Sequence, residues 1–363
     1  MTEVPRVLIA HEWLTAIGGS DKTVASMTQA LPGARVVTAV ADRRTVAELL
    51  PGVQVDVLWT DRLPAAQRRW RPYSPAIIAA WSIYQAADAD VLISSSHFAA
   101  RAAATRFSGP HLCYCYTPMR VAWRPDLELT RLHPSLQPVV NAVLPAVRAW
   151  DRRTAQGVTA FAGISSSVVE RIRHAYDRDA VCLFPPVDLP RFLASPRRPP
   201  FNYFLTFGRL IPYKRFDLAI QACTEAGYPL VVAGSGPDEA RLRAMAGPSV
   251  SFVGRVDDDA YQGLLAGATA LLFPGEEDFG IVPVEAQAAG CPVVALGRGG
   301  SLDTVSDGET GVLFAEPSVA SLREGIERAV GLEWDEAVLR RWAGQFSEER
   351  FAGELRAFVD ANT

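Results

Sequence analysis

Two cations and two carboxylates in the second half of this 363-residue chain have the types and spacing to handle an activated diphosphate ester. The cations, Arg209 and Lys214, stand in Gly208-Arg209-Leu210-Ile211-Pro212-Tyr213-Lys214-Arg215-Phe216-Asp217. An apolar run that reads as a strand (203–207) comes before them, and a helical pattern (214–226) follows. On a loop at a strand's carboxyl end, Arg209 offers a planar fork and Lys214 a compact point charge, together a clamp for a diphosphate. Preorganised cations stabilise the charge of a departing diphosphate without a metal. The plainer reading of the same residues is a surface ion pair with Asp217.

The carboxylates stand in Glu277-Asp278-Phe279-Gly280-Ile281-Val282-Pro283-Val284-Glu285. Glu277 falls in the loop after a strand at 270–273. Pro283 suits the first turn of a helix and predicts one over about 283–289, with Glu285 inside that turn. A helix start presents free N–H groups and partial positive charge, which suits phosphate or sugar oxygens. Gly280 lets backbone approach closely. Two carboxylates here can accept hydrogen bonds from sugar hydroxyls, one on a transferred sugar and one on a ribose. Alone, Glu285 reads equally well as an acid that complements the helix dipole. Glu277 and the Arg–Lys loop in the same half tilt the reading toward a ligand.

The elements that must position these residues form two series. In the first half, apolar runs at 7–10, 35–40, 53–58, 90–94, 112–116 and 160–165 read as strands, with a helix at 21–31. Runs apolar on both faces and separated by helices predict a parallel sheet covered on both sides. A proline-rich stretch from Pro185 to Pro200 interrupts the series and is the expected linker. The alternation restarts with strands at 203–207, 229–233, 250–253, 270–273 and 293–296 and helices at 214–226, 238–245, 259–267 and 283–289. A last helix covers 347–361. The expected architecture is α/β: an N-terminal Rossmann-like doubly wound domain (1–186), a linker (187–200), a second such domain (201–345) and a C-terminal helix (346–363) crossing back to the first. In such sheets ligands bind beyond the carboxyl ends of the strands, and the cleft between two facing domains is the default site.

The pairing of GRLIPYKRFDLAI with EDFGIVPVEAQAAG resembles family 4 of the glycosyltransferases, retaining enzymes of the GT-B fold. The resemblance implies that Arg209 and Lys214 bind the donor diphosphate. It implies that Glu277 contacts the donor sugar and Glu285 the nucleotide ribose, with backbone contacts from Phe279, Gly280 and Ile281. Gly18-Gly19, after the first strand, resembles the family's glycine loop beneath the donor phosphate. His97, closing Ser94-Ser95-Ser96-His97, matches a histidine near the transferred sugar, although a lone histidine at a strand end also reads as structural. Cys115-Tyr116-Thr117-Pro118-Met119-Arg120-Val121-Ala122-Trp123 looks like a segment of the GDP-mannose-using mannosyltransferases of bacterial O-antigen assembly. That implies GDP-mannose as donor, and Thr117, Arg120 and Trp123 on the acceptor side. The subgroup has an aromatic at the position of Val121 and an Asp directly after the Trp, where this chain has Arg124-Pro125-Asp126.

Composition narrows the setting. The chain is 49% hydrophobic and 21% charged, without an apolar run of about 18 residues, so no spanning helix is expected. No signal peptide pattern opens it. Five scattered cysteines predict reduced thiols and a cytoplasmic protein. Residues 1–190 carry 20 Lys+Arg against 16 Asp+Glu, and residues 191–363 carry 16 against 24. The N-terminal half is therefore the side expected to meet an anionic acceptor or, through Arg68-Arg69-Trp70-Arg71-Pro72-Tyr73, a membrane surface. Nucleic acid is not an expected partner. Gly234-Ser235-Gly236 reads as a tight strand-to-helix turn. Asp88-Ala89-Asp90 and Asp257-Asp258-Asp259 read as a strand start and a helix start, and no metal or other cofactor is expected. Competing readings are a UDP-sugar donor, a non-catalytic glycan- or nucleotide-binding paralogue, and a two-domain nucleotide-sugar epimerase.

Overall fold

The computed structural model describes residues 5–86, 88–125, 137–194, 196–199 and 202–363. Asp126 of the Trp123 segment, and residues 195 and 200 of the proline-rich stretch, lie outside the described residues. The chain divides into two compact units: Met1–Pro185 with Glu349–Thr363, and Pro186–Glu348.

The first unit is built on a seven-stranded parallel sheet. Its strands are β1 (Val7–His11), β2 (Arg35–Thr38), β3 (Val55–Val57), β4 (Val91–Ser96), β5 (His111–Cys115), β6 (Ala160–Gly163) and β7 (Ala180–Cys182). They lie in the order β3-β2-β1-β4-β5-β6-β7. Every residue of β1, β4 and β5 is buried, as expected where helices cover both faces of a sheet centre. Register places His11 beside Ser95 and Ser96 beside Cys115, so the ends of the three central strands are level.

The second unit holds a six-stranded parallel sheet of β8 (Phe204–Phe207), β9 (Leu230–Ala233), β10 (Val250–Gly254), β11 (Leu271–Phe273), β12 (Val293–Leu296) and β13 (Gly311–Phe314). The order is β10-β9-β8-β11-β12-β13. In both sheets the chain first steps outward in one direction and then returns to grow in the other. The reversal falls between β1 and β4 in the first sheet and between β8 and β11 in the second. Crevices beyond the carboxyl ends of strands at such switch points are where doubly wound sheets hold ligands.

One strand in each sheet escapes the apolar-run pattern. Edge strand β7 has three residues, of which Val181 and Cys182 are exposed. Edge strand β13 opens on Gly311, which reads as a turn; a Cβ there would lie 2.2 Å from the Val293 carbonyl oxygen. The helix Gln137–Gln156, with Pro145 inside it, also went unforeseen. The proline-rich stretch is not a bare tether. Val187, Leu189 and Phe192 are buried, and the Val187 amide donates to the Phe346 carbonyl at 2.9 Å.

The C-terminal helix Glu348–Asp360 belongs to the first unit. Its Phe351 is buried edge-on against Tyr114 of β5, ring centroids 5.8 Å apart, and Arg356 donates to the Ala30 carbonyl at 3.2 Å. Among the described residues no helix is long and apolar enough to cross a membrane. Phe351→Ala removes a buried ring and leaves a cavity under β5. It is expected to lower the stability of the first unit by about 3–5 kcal/mol, read from chemical denaturation.

Candidate functional site

The segments that follow the switch-point strands carry most of the expected site residues; Thr117, Arg120 and Trp123 follow β5 instead. In the second unit, Arg209 and Lys214 follow β8, and Glu277 follows β11. Gly208 begins the β8 loop at φ +138°, a backbone favouring glycine, and a Cβ there would lie 3.3 Å from the Lys214 Nζ. The chain makes a short turn over Pro212–Lys214 before the helix Phe216–Ala226. Lys214 therefore stands on the turn before the helix, with Arg215 between at φ 52°.

Lys214 Nζ donates to Glu277 Oε1 at 2.5 Å. The expected alternative of an ion pair with Asp217 is taken instead by Arg215, at 3.1 Å. Arg209 is exposed and has no ion-pair partner among the described residues. One cation of the pair is thus engaged with the Glu277 carboxylate, and the other is exposed. The Gly234-Ser235-Gly236 turn lies against this loop: the Leu210 amide donates to the Ser235 carbonyl at 3.0 Å.

Glu277 reaches Lys214 because the loop after β11 packs on it. A Cβ on Gly275 would lie 2.7 Å from Lys214 Cα. From the other side, the loop after β12 holds residues 277–279. The Gly300 amide donates to the Glu277 carbonyl at 2.8 Å. A Cβ on Gly300 would come within 2.1 Å of the Phe279 carbonyl oxygen. These glycines were missed in the sequence. Pro274-Gly275 and Gly299-Gly300, each just past an apolar run, were the signals available.

The helix of the segment starts two residues earlier than expected and spans Ile281–Ala288, with Gly280 before it at φ 92°. Pro283 is its third residue, and Glu285 lies beyond the first turn. The simple dipole-complementing role weakens accordingly, since that effect fades past the first turn. The first-turn amides, without partners inside the helix, follow directly on Phe279 and Gly280. Phe279 itself is buried, its ring edge-on against Phe346 at 5.5 Å. Ile281 is half-buried. Glu285 Oε2 accepts from the Tyr261 hydroxyl at 2.8 Å, and Arg191 lies 3.8 Å from Oε1. Tyr261 stacks on Phe207 at 3.7 Å. Burial and the Glu285 carboxylate raise the Tyr261 pKa, which keeps its hydroxyl a donor.

In the first unit, Gly18 and Gly19 begin the helix Gly19–Ala30 after β1. The Gly18 amide donates to Asp21 Oδ2 at 2.9 Å. Asp21 Oδ1 faces His11 Nε2 at 3.3 Å, His11 Nδ1 faces Ser95 Oγ at 3.1 Å, and Ser95 Oγ meets the Tyr116 hydroxyl at 3.0 Å. A buried polar chain therefore ties the glycine loop to the end of β4. His97 sits just beyond β4, half-buried between Trp13 (centroids 5.0 Å) and Tyr116 (6.0 Å). Burial lowers its pKa; the Glu12 and Asp21 carboxylates oppose the shift, and His11 and Arg120 add to it.

Thr117 is buried, and Arg120 lies near enough for its charge to act on His97. Trp123 joins a buried polar cluster. Its indole donates to Asp151 Oδ2 at 2.7 Å, a carboxylate that also accepts from Tyr176 at 2.8 Å and pairs with buried Arg101. Cys113 and Cys115 lie in the buried strand beside that pair, and all five cysteines are free. Trp70 of the basic segment is half-buried and stacks on Trp13 at 3.6 Å. Lys22 is exposed. Asp257 caps the helix Asp258–Gly267, and Asp90 pairs with Arg6 at 2.8 Å. No group of three His, Cys, Asp or Glu side chains is placed to hold a metal ion among the described residues.

Residues 193–343 match the family described as Glycosyl transferases group 1. The glycogen synthase of Xanthomonas oryzae pv. oryzae (strain PXO99A) is 36% identical over 136 residues, 35% of this chain and 26% of that protein. The D-rhamnosyltransferase WbpZ of Pseudomonas aeruginosa is 31% identical over 159 residues, 41% of this chain and 40% of that protein. The matches thus span less than half the length of these curated relatives. Solved structures align over nearly the whole chain. The lipopolysaccharide outer core galactosyltransferase WaaB gives a TM-score of 0.71 at 14% identity, covering 99% of this chain and 100% of that one. Anabaena Alr3699/HepE in complex with UDP-glucose gives 0.70 at 16% identity, covering 98% and 100%. Likeness at such identity is one of fold, and the fold is that of the GT-B glycosyltransferases.

Burial holds the His111 imidazole down at about 3, with Arg101 adding to the shift. His111 and His97 both bind a proton more readily in the unfolded chain, so their contribution to stability is complete above 6.5 and drains on acidification, for His111 as pH falls toward about 3. The first unit should lose stability on acidification from about pH 7 to about pH 4 in denaturant titrations. His111→Asn should flatten that slope, and an unchanged slope would sink the assignment.

Proposed function

We propose that this chain is a retaining glycosyltransferase that moves mannose from GDP-mannose to a hydroxyl of a saccharide or lipid-linked acceptor. The observation that carries the reading is the Lys214–Glu277 pair at the ends of β8 and β11, beside an open Arg209 and the helix start at Ile281. In this reading Arg209 and Lys214 hold the diphosphate, and the first-turn amides of the helix Ile281–Ala288 add donors to it. Glu277, oriented by Lys214, accepts from a hydroxyl of the transferred sugar. Glu285, oriented by the Tyr261 hydroxyl, accepts from the ribose. Phe279, Gly280 and Ile281 contribute backbone.

As the glycosidic bond to the diphosphate breaks, charge grows on the leaving oxygen, where two fixed cations stabilise it. Charge neutralisation by Arg209 and Lys214 makes the reaction metal-independent in this reading. Glu277 is committed to Lys214 and does not stand as an unencumbered nucleophile of the kind retaining glycosidases use. A front-face route follows: the acceptor hydroxyl attacks from the side of the leaving diphosphate, which takes its proton. In this reading His97, which the resemblance matches to a histidine near the transferred sugar, is the first unit's contribution, together with Gly18-Gly19 and Arg120. Trapping a glycosyl adduct on a carboxylate would overturn the front-face step.

GDP-mannose rests on the segment Cys115–Trp123 and its likeness to a mannosyltransferase subgroup. A UDP-sugar donor is the second reading, favoured by the similarity to a structure that holds UDP-glucose. A panel of GDP-mannose, UDP-glucose and UDP-N-acetylglucosamine separates them. The true donor raises the melting temperature by mass action and in proportion to the logarithm of its concentration once in excess. A response to uridine compounds alone would replace the donor. No response to any would leave a non-catalytic binding protein as the better reading.

Glu277→Gln keeps the shape and removes the charge that orients Lys214 and the sugar. Its transfer rate should fall by about 10² to 10³, as for loss of one fixed transition-state contact, while the chain stays folded. Turnover at the wild-type rate would show that the site lies elsewhere.

A further inference from the structure

Glu12 was not among the expected site residues, yet its carboxylate is the most heavily used acceptor in the first unit's switch-point loops. It follows β1 directly and is fully buried. Oε1 accepts from Ser96 Oγ at 2.7 Å, from the His97 amide at 3.2 Å and from the Phe98 amide at 2.8 Å. Oε2 accepts from the amides of Ala99 at 2.9 Å and Ala100 at 3.0 Å. Five donors from one turn therefore converge on one carboxylate across 84 to 88 positions of sequence. A buried carboxylate is costly unless its lone pairs are filled, and here the turn fills them. The dependence runs both ways, since hydrogen bonds to an ionised acceptor are stronger than neutral ones.

We propose that Glu12 is a positioning residue for the transfer reaction, holding the turn 97–100 so that His97 is presented beyond β4 in one fixed place. The inference rests on the proposed function, in which His97 faces the transferred sugar. The next residue, Trp13, completes the support: its ring meets the His97 imidazole edge-on and is itself backed by Trp70. Two consecutive residues at the end of β1 thus fix His97, one through its backbone and one through its ring. The charged and titratable groups around the imidazole are Glu12, His11, Arg120, Asp21 and the Tyr116 phenol. Of these, Glu12 is the strongest influence favouring the protonated form.

Only a carboxylate satisfies all five donors. Glutamine would present an NH2 group to one set of N–H donors and leave the turn partly unsupported. Aspartate keeps the charge but draws it back by about one bond length, 1.5 Å. A role confined to capping would move thermal stability alone, whereas a positioning role moves the chemistry and the histidine together.

The test compares wild type, Glu12→Gln and Glu12→Asp by steady-state transfer, by melting temperature, and by NMR titration of the histidine ring protons, with His97→Asn assigning the resonance. For Glu12→Gln the expected results are a kcat lower by about tenfold or more and a donor KM within about twofold of wild type. The His97 titration midpoint should move further down, by roughly half a pH unit or more. Glu12→Asp should recover part of the rate and most of the titration shift. If Glu12→Gln does not fold, Glu12→Asp carries the test, with a smaller kcat loss at constant donor KM expected. An unmoved His97 midpoint together with an unchanged kcat, or with a loss seen only in melting temperature, overturns the proposal. So does a donor KM that rises in step with any loss of rate. If wild type transfers no sugar at all, the proposed function fails on that arm, while the His97 titration still decides whether Glu12 governs that side chain.

Discussion

Every strand in both sheets runs parallel to its neighbours, and from this constraint most of the molecule follows. Parallel strands cannot be joined by tight turns, so each is followed by a loop and a helix that covers the sheet. All loops leaving carboxyl ends therefore emerge along one edge. Where the strand order reverses, two neighbouring loops diverge to opposite faces and leave a crevice. Gly18-Gly19 and His97 flank the crevice of the first sheet; Arg209, Lys214 and Glu277 flank that of the second. Residues 63 positions apart, such as Lys214 and Glu277, meet because β8 and β11 are neighbours, with Leu205 and Leu271 in register.

The carboxylates close to the two switch points are held in different ways. In the second unit, the acids are set against side chains: Glu277 against Lys214, Glu285 against Tyr261 and Arg191. Side-chain partners can be shared or exchanged. In the first, Glu12 is locked by backbone amides and Asp21 by the Gly18 amide and His11. Backbone partners are fixed by the fold and do not exchange. The contrast fits a division between adaptable groups that take up a ligand and rigid ones that hold a loop.

Much of this was legible beforehand, and the failures have identifiable causes. Central strands such as Val91–Ser96 were plain because burial on both faces leaves an unbroken apolar run. The edge strand Ala180–Cys182 was not, because half of its surface meets water and it is only three residues long. Gly311 concealed β13, since a glycine demanded by close approach to Val293 looks the same as one demanded by a turn. The helix before Glu285 began earlier than Pro283 indicated, because Gly280 rather than the proline sets its start. The partner of the Trp123 indole, Asp151, was not legible either: it lies 28 positions away, and no local pattern connects the two.

By itself, the amino-acid sequence determined the alternation of strand and helix, the presence of two α/β halves, and the chemical types along the loops that follow β8 and β11. These are properties of short windows: apolar runs, glycine and proline at turns, charge at strand ends. Only the tertiary structure decided which charges meet. It gave Lys214 to Glu277 and Asp217 to Arg215, drew the C-terminal helix onto the first unit, and seated Glu12 beneath the turn that carries His97. The physical reason is strand order. Neighbours in a parallel sheet are chosen by how whole faces pack, and no local pattern records which distant strand will lie alongside.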